Sequence, residues 1–436
     1  MVGKLQQHIH QKFSFLKGKK LLIAISGGVD SVVLTHLFYQ LNFDISLAHC
    51  NFHLRGEESG KDEEFVKELG KRLDLKTFSI SFETEKYATK NQLSTQVAAR
   101  NLRYDWFQEL TKTHLFDFVI TAHHADDNLE TFLINLTRGT GLEGFTGIPE
   151  INNTIVRPFL IFSRDEIETY ATENSINWRE DKSNASNKYL RNKIRHQIVP
   201  ILKEINPTLL ESFQKTTEHL QESQQIIDAS IADFKKKVVK KTETGNLKFD
   251  IAQLLETTNS KAYAYQLLKE FGFTEWNDVT HLLTAQSGKE VVSKTHRLLK
   301  DRGFLLLSEI KKTDKNTAYQ IAENTLEITV PIHLTFEKIV KKTSESKTAI
   351  FVDLEKIIFP LVLRRWQHGD FFYPKGMQGK KKISKYFKDE KLSLIDKENT
   401  WLLCSNNDII WIVEKRQDNR FITNNNTKKI LKILLK

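Results

Sequence analysis

Several short stretches carry side chains that could do chemistry. Ser26-Gly27-Gly28-Val29-Asp30-Ser31 puts two hydroxyls, a carboxylate and two glycines at one turn. Glycine lets the backbone approach a ligand closely, and a helix start offers unpaired N–H groups and a positive dipole end. Together these make a phosphate seat. The stretch is neither the Gly-Lys-Ser/Thr phosphate loop nor the three-glycine dinucleotide fingerprint. A second cluster is His49, Asn51, His53 and Arg55, whose alternate residues could share a strand face. Imidazoles at this spacing suit hydrogen bonding more often than metal binding, so no metal ligand is assigned. Arg100 and Arg103 are helix neighbours whose planar forks suit phosphate. In His123-His124-Ala-Asp126-Asp127-Asn-Leu-Glu130-Thr131, the spacing of Asp127 and Glu130 places two carboxylates on one side of a helical turn. Carboxylates also cap helix starts, but two imidazoles and three carboxylates exceed what capping needs.

These clusters need elements to hold them. Leu21-Leu-Ile-Ala-Ile reads as a buried strand, and Val32, Val33, Leu34, Leu37, Phe38 and Leu41 repeat at helical spacing. Further strands are expected over 44–51, 77–82 and 117–122. Helices are expected over 60–73 and 92–113 and from Leu129 to Leu136. Arg138-Gly-Thr-Gly-Leu-Glu-Gly144 reads as a mobile loop able to close over a ligand. Strands alternating with helices predict an α/β fold with a parallel sheet covered on both faces. Ligands on such sheets gather at the carboxyl ends of the strands, and each cluster follows a predicted strand.

The chain has 436 residues, enough for two or three domains. Lys and Arg outnumber Asp and Glu by 65 to 55, a net charge of +10 that favours a polyanionic partner such as RNA. Cys50 and Cys404 are the only cysteines, which excludes a disulfide framework and a Cys-x-x-Cys site. The first residues lack an apolar signal core and no apolar run could span a bilayer, so a soluble cytoplasmic protein without a membrane partner is expected.

Ser-Gly-Gly-x-Asp-Ser resembles the pyrophosphate-binding loop of the N-type ATP pyrophosphatases, which split ATP into AMP and pyrophosphate. The resemblance narrows with His-x-Asn-His-x-Leu-Arg at 49–55, Ala-Arg-x-x-Arg-Tyr at 99–104, His-x-x-Asp-Asp-x-x-Glu-Thr at 123–131 and Arg-Gly-x-Gly-Leu-x-Gly at 138–144. Arg157-Pro158, Trp178-Arg-Glu-Asp181, Ser183-Asn184 and Arg191-Asn192-x-Ile-Arg195 follow in order. In this order the motifs resemble those of the tRNA(Ile)-lysidine synthases. That family uses ATP to attach free L-lysine to C2 of the wobble cytidine of the CAU-anticodon isoleucine tRNA, through an adenylated cytidine. The modified tRNA then reads AUA instead of AUG.

The resemblance implies an adenine nucleotide α-hydrolase-like first domain over 1–215. A small, mainly helical domain would follow over 216–315, then a C-terminal α+β, β-rich domain over 316–436. It implies that Ser26, Gly27, Gly28, Val29, Asp30 and Ser31 hold ATP, with Asp30 near the phosphates and Mg²⁺. Arg103 would stabilise charge around the α-phosphate. Asp127 and Glu130 would hold the lysine ammonium or take its proton, with the choice between them open. His49, Asn51, Arg100, His124, Arg191 and Arg195 would face substrate or tRNA, the last two serving phosphate or RNA. Monomer and homodimer both stay open.

In the second half, Ser163-Arg-Asp-Glu166 reads as a capping box and 209–241 as a long polar helix ending in lysines. Tyr263, Leu267, Leu268, Phe271, Leu282 and Leu283 are expected to form a small core, closed by a hairpin over 291–307. Residues 363–388 carry eight Lys or Arg, among them Arg364, Arg365, Lys380, Lys381 and Lys382, against the single acid Asp370. Trp366, Phe371, Phe372, Tyr373, Tyr386 and Phe387 are interleaved. Cations for phosphates with aromatics for bases is a nucleic-acid pattern, and a β-domain with buried aromatics is its alternative. The stretch also resembles the tRNA-clasping C-terminal domain of the same family, although Glu414 stands where a glycine is expected. A tRNA-thiolating relative would need paired cysteines, and an amidating one a glutaminase domain; neither is apparent in the sequence.

Overall fold

The computed structural model describes residues 1–180, 190–242, 245–310, 317–340, 348–377 and 379–436. The matched Asp181, Ser183 and Asn184 lie outside the described residues. The chain divides into two units, Met1–Ala229 and Ser230–Lys436.

The first unit opens with α1 (Val2–Lys12) and alternates β1 (Lys20–Ala24), α2 (Val29–Gln40), β2 (Asp44–Asn51), α3 (Glu57–Arg72) and β3 (Thr77–Ser81). It continues through α4 (Thr84–Asn91), α5 (Thr95–His114), β4 (Phe118–Ile120) and α6 (Ala125–Arg138). A short helical turn α7 (Leu142–Phe145), the strands β5 (Ile151–Asn152) and β6 (Ile155–Val156), and α8 (Arg164–Glu173) follow. The sheet order is β3-β2-β1-β4-β6-β5, parallel throughout except where β5 turns back along β6. Leu21 and Ile23 pack with Val32, Val33, Leu37 and Phe38 of α2 on one side of the sheet. Leu22, Ala48 and Val119 face Trp106, Phe107 and Leu110 of α5 on the other. Both faces are therefore dry, as an all-parallel core requires.

Beyond small shifts of helix ends, such as α6 starting at Ala125 and not Leu129, local features differ from the sequence expectation at three places. The helix expected from residue 92 starts at Thr95, because the Ser94 side chain accepts from the Val97 N–H and caps it there. Residues 84–91 form a helix that periodicity did not reveal. The Gly-rich stretch 138–144 is partly helical: α6 runs to Arg138, and the α7 turn is held by Asn135 Nδ2 donating to the Gly144 carbonyl at 2.8 Å. Gly144 is needed there, since a Cβ would sit 2.0 Å from Thr140 Oγ1.

The second unit carries a five-stranded antiparallel sheet over residues 239–309, with short helices packed on it. Leu267, Leu268, Leu282 and Leu283 are buried in its core with Tyr263 and Phe271 against them, as the spacing suggested. The first two strands of that sheet, Val239–Lys241 and Leu247–Asp250, were not foreseen. Beyond them are a five-stranded and a four-stranded antiparallel sheet, whose strands bury Leu334, Phe336, Leu361, Leu363, Trp411, Leu431 and Ile433 together. In the four-stranded sheet, Ile430–Leu435 pairs with Leu334–Ile339 on one side and Ala349–Asp353 on the other.

Candidate active site

The turn after β1 is built by its own side chains. Ser31 Oγ donates to the Gly28 carbonyl at 3.0 Å and accepts the Ser26 N–H at 3.1 Å. The Gly28 N–H donates to Ser26 Oγ at 3.3 Å. Gly27 has φ +94°, a backbone that side chains resist, and its carbonyl accepts the Arg179 N–H at 3.0 Å. Gly28 caps α2 without a side chain, so the first N–H groups of that helix are left for a ligand.

Around this turn stand the ends of the neighbouring strands. His49 is buried, and its Nδ1 lies 3.0 Å from the Ile25 carbonyl, which braces the chain just before the turn. Burial lowers its pKa, so it is neutral near pH 7. Asn51 is buried too, donating to Glu63 at 2.9 Å and accepting the His53 N–H at 3.0 Å. Arg55 and Arg179 both grip buried Asp62, at 2.8 and 2.6 Å, and Arg179 also meets Glu58. The second cluster therefore supports the loop through hydrogen bonds and ion pairs.

The third cluster meets the loop directly. His124 caps α6: its Nδ1 accepts the Asp127 N–H at 3.4 Å, while its own N–H donates to Asp127 Oδ2 at 3.2 Å. The other ring nitrogen, Nε2, lies 3.5 Å from Asp127 Oδ2 and 3.8 Å from Asp30 Oδ1. Burial raises the Asp30 pKa, against the pull of His124 and Arg164. Asp30 Oδ2 accepts from Arg164 Nη1 at 2.5 Å, whereas Asp30 Oδ1 is buried with no hydrogen-bond partner among the described residues.

Asp127 and Glu130 share an arginine clamp. Arg191 donates to Asp127 Oδ1 at 2.9 Å and to Glu130 Oε2 at 2.7 Å. Arg195 donates to Glu130 Oε1 at 2.5 Å and to Asp127 Oδ1 at 3.2 Å. Glu130 is only 1% exposed. Burial alone would raise Asp127, but His124, Arg191 and His123 outweigh it and hold its pKa at about 2. Beside them, His123 Nδ1 bonds Thr121 Oγ1 at 2.9 Å, and burial brings this imidazole down to about 4.

Arg100 and Arg103 are exposed on α5, over the rings of Tyr104 at 4.7 Å and Phe52 at 5.2 Å, and have no ion-pair partner among the described residues. Arg157 is buried, donating to the Pro149 carbonyl at 2.7 Å, and its Nε has no partner among the described residues. Burial pushes the Cys50 thiol up to about 12 and the Cys404 thiol up to about 11, so neither offers a thiolate near neutral pH.

Sequence reasoning missed Arg164, read only as part of a capping box, which does form between Ser163 and Glu166. It also missed Lys203, which meets Asp126 at 2.7 Å. No local pattern signals either pairing, since Arg164 lies 134 residues from Asp30.

Comparison with known proteins decides the family. A PP-loop domain model matches residues 1–202, a TilS substrate binding domain model 242–310, and a TilS substrate C-terminal domain model 361–433. The tRNA(Ile)-lysidine synthase of Parabacteroides distasonis is 39% identical over 99% of both chains. The chain belongs to the tRNA(Ile)-lysidine synthase family. Two further relatives of that name agree. The one from Bacteroides thetaiotaomicron is 38% identical over 98% of this chain and 97% of its own. The one from Porphyromonas gingivalis is 35% identical over 97% and 95%.

Within that family frame, the first unit is the PP-loop α/β domain and the chain ends in a β-rich domain. The 363–388 patch is mixed in character. Phe372, Tyr386 and Phe387 are buried core residues, while Phe371 is exposed. The three aromatics sit inside because short strands and the helix Ile383–Asp389 need a core of their own. Arg364 is locked to Asp370 by two 2.8 Å bonds, and Arg365 stacks 3.7 Å over Trp401. Lys380, Lys381 and Lys382 line a surface cleft with Phe371 and Asp389, and Lys381 pairs with Asp389 at 2.7 Å.

Asp30 Oδ1 is an oxygen in search of a partner. Among the described residues, no group of three or more His, Cys, Asp or Glu could cage a metal. A Mg²⁺ held by one carboxylate and the phosphates of a nucleotide fits this geometry, because that ion keeps few protein ligands.

Proposed function

We propose that this chain is an ATP-dependent carbon–nitrogen ligase that joins L-lysine to C2 of the wobble cytidine in a CAU-anticodon isoleucine tRNA. One observation carries the reading. The Ser26–Ser31 turn, with a buried Asp30 oxygen that has no hydrogen-bond partner among the described residues, stands beside His124 and the Asp127–Glu130 pair at the carboxyl ends of one sheet. A phosphate seat next to paired carboxylates suits a reaction between a nucleotide and an amine.

The chemistry follows from the bonds involved. The C2 oxygen of cytosine leaves poorly. Its attack on the α-phosphorus of ATP releases pyrophosphate and makes AMP the leaving group. The lysine ε-amine then attacks C2; the C–N bond forms, the C–O bond breaks, and the amine gives up its proton. Ser26, Ser31, Gly27, Gly28 and the N–H groups at the start of α2 hold the triphosphate. Mg²⁺, when bound at Asp30, neutralises phosphate charge. Arg103, exposed and with no ion-pair partner among the described residues, is the candidate to meet charge growing on the α-phosphate.

Near pH 7 only about one lysine in a few thousand has a neutral ε-amine. Asp127 and Glu130 are the groups to hold that ammonium. Asp127, at about 2, holds a cation far better than it takes a proton. Both carboxylates already carry Arg191 and Arg195, so an incoming ammonium must share or displace them. Arg100 and His124 are the candidates to face substrate, and His49 and Asn51 support the loop through their hydrogen bonds. Lys380, Lys381 and Lys382 serve the tRNA backbone, and Arg364 and Arg365 hold that region in shape. The boundaries 1–215, 216–315 and 316–436 and a cytoplasmic location belong to the same reading.

The test is direct. Protein, ATP, radiolabelled lysine and the isoleucine tRNA are mixed, then lysine in tRNA and AMP in solution are measured. Both should appear, and replacing Asp30, Arg103 or Asp127 by Ala should abolish both. AMP without lysine in tRNA, or neither product, rejects the reading.

A further inference from the structure

Arg164 has no task in the reading above, yet both its backbone and its side chain are engaged. Its backbone N–H donates to Asp126 Oδ2 at 2.8 Å, and Asp126 Oδ1 is held by Lys203 Nζ at 2.7 Å. Its Nε donates to Glu168 Oε1 at 2.6 Å, and its Nη1 reaches Asp30 Oδ2 at 2.5 Å. The guanidinium thus bridges two carboxylates with its plane fixed from both ends, which the single point charge of a lysine cannot do. The consequence falls on Asp30. One of its oxygens is engaged by Arg164; the other is buried with no hydrogen-bond partner among the described residues, and His124 Nε2 lies 3.8 Å from it.

We propose that Arg164 is a positioning residue for the ligase reaction: it pins Asp30 Oδ2 so that Oδ1 faces the divalent cation of the bound nucleotide. This rests on the nucleotide-site reading of the Ser26–Ser31 turn. Arg164 comes from α8, whose start is fixed by the Ser163–Glu166 capping box. The pin is therefore anchored on a different element from the loop it serves. Groups that orient a metal ligand without touching the metal typically contribute tenfold to a hundredfold in metal affinity.

The experiment uses the full chain, as wild type, Arg164→Ala and Arg164→Lys. Mn²⁺ stands in for Mg²⁺, and free Mn²⁺ is followed by its electron paramagnetic resonance signal with a non-hydrolysable ATP analogue present. Steady-state lysine incorporation is measured alongside. Arg164→Ala should weaken Mn²⁺ binding by about tenfold or more. It should lower kcat and leave the lysine KM within about twofold. Arg164→Lys should recover part of both losses. A purely structural role would instead lower the melting temperature and move every parameter together. Should Arg164→Ala fail to fold, Arg164→Lys and Arg164→Gln carry the same comparison. Wild-type Mn²⁺ affinity in the variants, with an active wild type, overturns the role of Arg164 alone. A wild type that shows no nucleotide-dependent Mn²⁺ binding overturns the nucleotide-site reading and this inference with it.

Discussion

At the scale of single residues, the site is a set of charges that hold one another in place. Glu130 is almost wholly buried against Arg191 and Arg195. Glu130→Gln removes one sign from a buried group and leaves two cations facing a lone Asp127. It should cost roughly 3 kcal/mol, since the arginines themselves reach solvent. Chemical denaturation reads that loss directly. The buried histidines set a second expectation. Burial brings His123 from the ordinary 6.5 down to about 4. Between those values the unfolded chain binds a proton that the folded chain refuses, so stability rises with pH there and falls as pH drops. His123 alone should account for up to about 3 kcal/mol. His8, His36 and His49 are lowered by burial as well and add in the same direction. Urea unfolding at about pH 7 and about pH 5 should show the lower midpoint in acid, and equal midpoints would reject the assignment. Residue types were readable in the sequence; their partners were not. Asp127 and Glu130 stand out by spacing, but that Arg191 and Arg195 clasp them depends on a return of the chain about 60 residues later. His49 is likewise legible as a strand residue. That its ring turns to the Ile25 carbonyl depends on how β1 and β2 lie in register.

At the scale of elements, two backbone positions decide local stability. Gly27→Ala would force a Cβ onto φ +94°, though its space is open to ordinary contact. The strain is of order 1–3 kcal/mol and falls on the phosphate seat itself. ATP binding measured by calorimetry should be lost while the rest of the sheet still folds. Glu414 shows the opposite case. The sequence suggested a glycine there, and the structure places the exposed Glu414 at φ +63°. Glu414→Gly should therefore stabilise the chain by about 0.5–1 kcal/mol, visible as a higher melting temperature. The parallel strands were legible because buried five-residue apolar runs and Gly-rich turns mark them. The helix 84–91 was not, since it is only 8 residues long, is polar, and buries only Thr84 and Ala88. The 239–241 strand hid in a lysine run that continues a helical pattern.

At the scale of the molecule, the net charge of +10 has a place to act. If Lys380 and Lys382 each contact one tRNA phosphate, replacing either by Ala should reduce the salt slope of tRNA binding by ~0.7–0.9 on a log–log plot. Filter binding over a range of KCl concentrations measures it, and an unchanged slope would remove those lysines from the interface. Arg364→Ala should behave differently, because breaking its paired bonds to Asp370 lowers stability before it touches RNA. Composition announced a polyanion partner; it could not say which cations are already spent on internal pairs. The aromatic residues of the same stretch teach the same lesson: Phe372, Tyr386 and Phe387 could be read as base-stacking groups or as buried aromatics of a β-domain, and they fill a core.

The strand Ile430–Leu435 sits between Leu334–Ile339 and Ala349–Asp353, not at the rim of its sheet. Until this late segment is in hand, Leu334–Ile339 can pair only with the two-residue strand Glu327–Ile328, and Ala349–Asp353 has no partner strand among the described residues. Through the early steps of assembly both remain open edges, of the kind that recruit foreign strands. Closure across about ninety residues is entropically slow. Handling conditions that raise the rate of encounters between chains during that wait, such as high concentration during refolding, should favour precipitation over yield.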